Sequence, residues 1–455
     1  MPMQSINPLT NEVIREFEEH TDAQIEEVLQ KADATYYQWR KTSFEERSPL
    51  MHAAADVLRN NKAKYAQTMT DEMGKTRKEA MAEVEKCALC CDYYAENAAQ
   101  FLADEPLKID QGEAYIAYDP IGAVLAVMPW NFPFWQVIRF AAPNLMAGNV
   151  GLLKHASNVP QCALALQEVF REAGFPEGCF QSLLISSKKV DGILGDRRIR
   201  AATLTGSEVA GSKVAAKAGQ ELKKTVLELG GSDPFIVLAD ADLEKAAATA
   251  VKARMINCGQ SCIAAKRFIV LEEVYEQFMD IFVKTMSDLK QGDPNEEGVD
   301  YGPMAREDLA DQLLEQTRKS IDKGAELLLG GDRPDKQGAF FNATILGNVK
   351  PGMPAYDEEL FGPVASVFKV KDEEEAILIA NDSPYGLGGC VWTQDIEKGK
   401  RMVRQVESGA VYINKMTASH PALPFGGVKL SGYGRELSHL GIREFVNQKT
   451  VWLES

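Results

Sequence analysis

The stretch IGAVLAVMPWNFPFWQVIRFAAPNLMAGNVGLLKHA, residues 121–156, decides how the chain folds. An apolar run, IGAVLAVM, ends in Pro-Trp-Asn-Phe-Pro; a helical pattern opens at FWQVIRF, and Ala-Gly-Asn turns the chain into a second apolar run. This order reads as strand, turn, helix and strand. The alternation continues from 115 to 240 through QSLLIS, AATLTGS and PFIVLAD, each closed by turn or cap residues, as in a parallel sheet covered by helices. A second series from 265 to 430 (KRFIVLE, AELLLGG, ASVFKVK, GGCVWT, GAVYIN) predicts a second α/β domain. Residues 22–105 read as amphipathic surface helices. GEAYIAYDPIG at 112–122 and the tail REFVNQKTVWLE read as paired strands outside both cores, and such edge strands predict contact with a neighbouring chain.

A chain of 455 residues exceeds one hydrophobic core, which agrees with two α/β units. The net charge of −16 argues against nucleic acid or an anionic membrane as partner, and an anionic substrate would need a local arginine to overcome the field. No basic segment followed by an apolar stretch opens the sequence, and the run at 121–128 is far shorter than the ~20 residues of a membrane-spanning helix. A cytoplasmic protein is expected. The eight cysteines are too sparse for a disulfide scaffold, and His20, His52, His155, His420 and His439 are scattered singly, so no metal site is predicted.

The usual Gly-x-Gly-x-x-Gly dinucleotide fingerprint follows no predicted strand. Instead, MPWNFPFWQVIRF (128–140), LLKHASNVP (152–160), LTGSEVAG (204–211), LELGGSDPFIV (227–237), NCGQSCIAAKR (257–267), EELFGPV (358–364) and PFGGVKLSGYGRE (424–436) occur in this order. Together they resemble the aldehyde dehydrogenase superfamily over nearly the whole chain, and within it the succinate-semialdehyde dehydrogenases. The resemblance implies an α/β fold with a Rossmann-like nucleotide-binding domain (1–108 and 123–227), an α/β catalytic domain (228–430) and a small β oligomerisation arm (109–122 and 431–455).

By match to Gly-Gln-x-Cys, Cys262 is the expected nucleophile, whereas Cys258 reads as a packed core thiol. A thiolate attacking an aldehyde gives a hemithioacetal whose oxygen carries developing negative charge. The resemblance assigns the side-chain amide of Asn131, with the Cys262 backbone N–H, to that oxygen. Hydride loss to a nicotinamide leaves a thioester, and Glu228 matches the base that activates the thiol, the deacylating water, or both. Set among leucine and glycine, its carboxyl is expected to be pushed up by desolvation. Relatives that pass the acyl group to coenzyme A or phosphate generally lack this base, so hydrolysis to a free acid is implied.

For the cofactor, the resemblance implicates Trp130, Lys154, Gly206, Ser207, Glu359 and Phe361. GSEVAG opens a helix whose N-terminal N–H groups favour phosphate. Ser157 departs from NAD-preferring relatives, which commonly carry Glu three residues after the lysine. A carboxylate there would repel the about −1.5 to −2 charge of a 2′-phosphate, so NADP is expected to be preferred and NAD tolerated. For the substrate, the resemblance implies that Arg139 and Ser419 bind a carboxylate, with Trp135 and Phe425 as apolar walls. Arg139 lies slightly over two helical turns beyond Asn131, near the same face, although an arginine among Phe, Trp, Val and Ile also suits a structural ion pair. The expectation is oxidation of succinate semialdehyde to succinate by a homo-oligomer. A broad aliphatic or glutarate semialdehyde-type enzyme is the alternative, and a thiol hydrolase or esterase using Cys262 and Glu228 without nucleotide the remote one.

Overall fold

The computed structural model describes residues 3–454. Strand Ala123–Met128 lies inside a six-stranded sheet because both its faces are apolar: Val124, Leu125 and Ala126 have no solvent exposure. It pairs in parallel with Val150–His155 on one side and Ile199–Thr205 on the other. The sheet order is Gly432–Tyr433, Lys224–Glu228, Ile199–Thr205, Ala123–Met128, Val150–His155, Phe180–Ser182. The chain therefore winds outward one way and then the other, leaving a crevice at the carboxyl ends of Ala123–Met128 and Ile199–Thr205, where doubly wound sheets bind ligands.

Helices Asp22–Trp39, Phe44–Asn60, Lys62–Met73 and Arg77–Phe101 occupy the region read as helical. The last of them packs on helix Trp135–Met146, every residue of which is buried. A buried helix start needs acceptors for its free N–H groups. Glu83 supplies them, accepting from the backbone N–H of Phe134 and of Trp135 at 2.9 Å each, while its carboxylate pairs with the equally buried Lys75.

The second domain is a seven-stranded sheet in the order Glu326–Leu329, Thr344–Gly347, Val364–Val370, Ala265–Leu271, Asp233–Val237, Gly388–Trp392, Ala410–Ile413, parallel except for the first pair. Glu113–Pro120 and Val446–Leu453 are strands, as their patterns predicted; they pair antiparallel with each other within the chain, and Trp452 and Leu453 stand exposed on them.

Two boundaries differ from expectation. Glu105–Leu107 joins the outer three-stranded sheet rather than the nucleotide domain, and Gly432–Tyr433, expected in the arm, closes the edge of the nucleotide-domain sheet. Only glycine fits at 432, where φ is +106° and a Cβ would sit 2.1 Å from the Leu227 carbonyl oxygen. The hairpin Met3–Ile6 with Val13–Phe17 was not foreseen, since its second strand is exposed over four of five residues and shows no alternation. The ends of the expected domain ranges, residues 1, 2 and 455, lie outside the described residues. Among the described residues no helix is long and apolar enough to cross a membrane, and no cluster of three or more His, Cys, Asp or Glu could hold a metal ion.

Glu83→Ala would strand a buried ammonium and two helix N–H groups, a loss of about 3–5 kcal/mol. A clearly lowered midpoint in thermal unfolding is expected, with Glu83→Gln falling between the two proteins.

Candidate active site

A cavity of about 630 Å³ occupies the crevice between the two sheets. Pro129, Trp130 and Asn131 line it from the turn after Ala123–Met128; Thr205, Gly206 and Ser207 from the turn after Ile199–Thr205; and Cys262, Glu359 and Phe361 from the second domain. Trp130 meets Phe361 edge to face at 5.8 Å. Ser207 caps helix Glu208–Gln220, accepting from the Ala210 N–H at 3.3 Å. It also lines a second cavity of about 430 Å³ with Lys154, Ser187, Lys188 and Lys213. The two cavities thus share a helix N-terminus, the arrangement a pyrophosphate between two nucleosides would need. Lys154 is largely buried, which pushes its ammonium pKa down, and Ser157 stands exposed in the turn three residues later. Lys188 and Lys213 were missed by sequence reasoning, because ordinary lysines on separate elements carry no spacing signal.

Cys262 is half-buried at the cavity wall. The turn before it has left-handed backbone at Asn257 (φ +54°), Cys258 (+55°) and Gly259 (+73°). Side-chain bonds hold this costly shape. Arg254 donates to the Gly259 carbonyl at 2.6 Å, and Asn257 Nδ2 donates to the carbonyls of Asn131 (2.7 Å) and Gln260 (3.1 Å). Asn131 Nδ2 donates to the same Gln260 carbonyl at 3.1 Å. One amide hydrogen of Asn131 is thereby fixed and the other left for an oxyanion. Lys266, 2% exposed, donates to the carbonyls of Ser261 (2.7 Å) and Cys262 (2.9 Å) and pairs with Glu359 at 3.0 Å. The loop after Glu228 passes close beneath, since a Cβ on Gly231 would lie 2.5 Å from the Cys262 carbonyl oxygen. Cys258 is a buried core thiol, as expected.

Burial pushes the Cys262 thiol up to about 12, against the opposing pull of Arg139 and Lys266. Glu228 ends strand Lys224–Glu228 with 1% exposure and no hydrogen-bond partner on either oxygen. Its carboxyl is raised well above the ordinary value, first by burial and then by Glu436, with Arg139 opposing. The expected direction holds, although Glu228 does not line the cavity and lies against Gly426.

The expectation that Arg139 is an open anchor for a substrate carboxylate needs correction. Its guanidinium is 2% exposed, pairs with Glu436, reaches Thr205 Oγ1 at 3.2 Å and lies over the Phe425 ring at 4.7 Å. A buried cation without a partner is costly, so the chain supplies its own carboxylate. Ser419 is brought to Trp135, whose indole N–H donates to its hydroxyl at 3.1 Å, but the other donor to that hydroxyl is Lys86, at 2.7 Å. Trp135 and Phe425 are both buried. Lys86 and Lys266 escaped the sequence reading; only an apolar run interrupted by the Lys266-Arg267 pair marks Lys266, and nothing local marks Lys86.

Removing the Lys266 charge takes away a cation that favours the thiolate. Lys266→Met should raise the apparent pKa of Cys262 alkylation by iodoacetamide by about half to one unit, slowing labelling ~3- to 10-fold at neutral pH. Unchanged labelling kinetics would remove Lys266 from the electrostatics of the site.

The chain matches the aldehyde dehydrogenase family over residues 1–451. It is 52% identical over 453 residues to a probable succinate-semialdehyde dehydrogenase [NADP(+)] of Synechocystis sp., covering all of both chains. To the succinate-semialdehyde dehydrogenase [NADP(+)] of Mycobacterium avium it is 52% identical over 459 residues, covering all of this chain and 97% of the relative. Among solved structures, succinic semialdehyde dehydrogenase from Streptococcus pyogenes in complex with NADP+ superposes with a TM-score of 0.98 at 42% identity, covering all of both chains. The likeness runs through both domains and the turn that carries Cys262, and the chain belongs to the aldehyde dehydrogenase family.

Proposed function

We propose that the chain is a succinate-semialdehyde dehydrogenase that prefers NADP and accepts NAD, working as a homo-oligomer through its exposed three-stranded edge. The observation that carries the reading is the fixed Asn131 amide beside a half-buried Cys262, in a crevice continuous with the Ser207 helix terminus. Full-length similarity to relatives named for this aldehyde and NADP supports it. Ser157 beside Lys154, in place of a carboxylate, supports NADP.

Trp130, Gly206, Ser207, Glu359 and Phe361 would hold the nicotinamide half of the cofactor, and Lys154 with Ser157 its 2′-phosphate. When bound, the cofactor supplies the hydride acceptor. Cys262, resting as a thiol, gives up its proton to Glu228, which passes it on to solvent, and attacks the aldehyde carbon. The Asn131 amide donates to the resulting oxyanion, and the oxygen's electron pair expels hydride as the thioester forms. Glu228 takes the proton of the water that cleaves the thioester. Arg139 acts from behind this centre as a buried positive charge, and Ser419 presents its hydroxyl to the distal carboxylate.

Initial rates of cofactor reduction with succinate semialdehyde, glutarate semialdehyde and hexanal, each with NADP and NAD, test the reading. The highest kcat/KM should come from succinate semialdehyde with NADP, by about tenfold or more over hexanal. Equal turnover of hexanal overturns the carboxylate site and leaves a broad aliphatic enzyme. Ser157→Glu should reverse the cofactor preference.

Asn131→Ala should lower kcat by about 10²–10³-fold. Glu228 acts as a base only when ionised, and its raised pKa means that this form is lost as pH falls through a value above the usual carboxylate range. The steady-state rate should therefore decline on the acid side before pH reaches that range. Glu228→Gln should abolish this limb and slow both formation and hydrolysis of the thioester, with no fast burst of reduced cofactor.

A further inference from the structure

His155 ends the inner strand Val150–His155 of the nucleotide-domain sheet, in register with Met128, and is 5% exposed. Both ring nitrogens are engaged. Nδ1 accepts from the Ala156 N–H at 2.9 Å, and Nε2 donates to the Pro133 carbonyl, also at 2.9 Å. The Met128 carbonyl lies 3.2 Å from Nδ1, but a proton on that nitrogen would meet the Ala156 N–H head on and leave Nε2 facing the Pro133 oxygen without one. The ring is therefore held as one neutral tautomer, protonated at Nε2. Burial pushes the imidazole pKa down to about 4, so this state persists at neutral pH.

Pro133 closes the turn 129–133 that presents Trp130 and Asn131 to the cavity. With proline at both ends, the turn lacks two backbone donors with which to tie itself down. The carbonyls of Phe132 and Phe134 accept from the N–H groups of Gln136 and Ile138 at 3.0 and 2.9 Å as helix Trp135–Met146 begins. The Pro133 carbonyl between them meets the imidazole. From the second domain, Asn257 and the Gln260 carbonyl hold Asn131 itself. His155 holds the same turn from its own domain, two residues beyond the oxyanion donor. A buried polar ring costs free energy that an apolar side chain at this strand end would not, and its hydrogen bonds are spent on placing this turn.

We propose that His155 is a positioning residue for the oxyanion site: its Nε2–H fixes the 129–133 turn where the free Asn131 amide hydrogen meets the substrate oxygen. This rests on the role given to Asn131 above. Without that bond the end of the turn is free to shift, and a misplacement of about 1 Å can cost on the order of 10²-fold in rate.

A double-mutant cycle tests it, with kcat on succinate semialdehyde and NADP measured for the wild-type enzyme, His155→Leu, Asn131→Ala and the double variant. His155→Leu should lower kcat by about ten- to a hundredfold in the wild-type background, but by less than about twofold once Asn131 is alanine, because the imidazole acts through that amide. His155→Gln, whose amide N–H can reach the Pro133 carbonyl, should recover most of the loss. An equal fall in both backgrounds marks a residue of the fold alone and overturns the proposal while leaving the Asn131 reading intact. A fall confined to KM for NADP assigns the ring to the turn that carries Ser157 and overturns it too. An Asn131→Ala enzyme as fast as wild type overturns both readings. If His155→Leu does not fold, the native protein decides: nitrogen NMR of histidine-labelled enzyme should show the His155 ring protonated at Nε2 alone between about pH 5.5 and 8, its signal identified by its loss in His155→Gln. A proton on Nδ1, or an imidazolium in that range, overturns the clamp.

Discussion

The site depends on a buried amide lattice that joins its two domains. Asn131 lies in the turn after a strand of one sheet, Asn257 and Gln260 form the strained turn ahead of a strand of the other, and each asparagine reaches a carbonyl across the gap. A left-handed pair at Asn257 and Cys258 would open without these bonds, because each such residue costs on the order of 1–3 kcal/mol. The lattice therefore does two things at once. It places the thiol at the crevice, and it aims the remaining Asn131 hydrogen without side-chain entropy to lose when charge develops, which is what preorganisation means for an oxyanion site.

The acidic chain nonetheless carries cations deep in its interior. The chain carries −16 overall, yet Arg139, Arg254, Lys266 and Arg267 lie at most 3% exposed around the nucleophile and the strands behind it. Backbone carbonyls neutralise much of this cost: Arg267 donates to Ser232, Ile379 and Ala380 at 2.7–2.8 Å, and Lys266 to Ser261 and Cys262. Carbonyl oxygens satisfy donors without cancelling charge. Carboxylates cancel part of it: Glu436 pairs with Arg139 and Glu359 with Lys266, whereas Arg254 and Arg267 are held by carbonyls.

The sheet architecture was legible because its strands are apolar on both faces, and Ala123–Met128 could be little else. Gly432–Tyr433 was not, since two residues carry no periodicity and their pairing depends on a glycine fitting beneath Leu227. At the site, Cys262, Asn131 and Glu228 were legible through short motifs. Arg139 was noticed for the right reason, an arginine in an apolar helix, but its partner Glu436 lies far along the chain and only the fold brings them together. Lys86 was hidden by the opposite problem. It sits in a helix whose charged residues looked uniformly solvated, and its setting is made by Trp135 and Ser419 from distant segments.

The pKa pattern explains how a buried thiol can still act as a nucleophile. Burial raises both Cys262 and Glu228, so moving a proton from one to the other relocates a negative charge instead of creating one. The fixed charges then set the direction. Arg139 favours charge on both groups, Lys266 adds to this at the sulfur, and Glu436 disfavours charge on Glu228. Arg139 is held to Glu436, so at Glu228 the two ends of that ion pair act in opposite senses, while at the thiol Arg139 is the larger of the two cations' effects. What distinguishes the two groups is Lys266 at the sulfur and Glu436 at the base, and both favour passing the proton from Cys262 to Glu228 when an aldehyde is attacked.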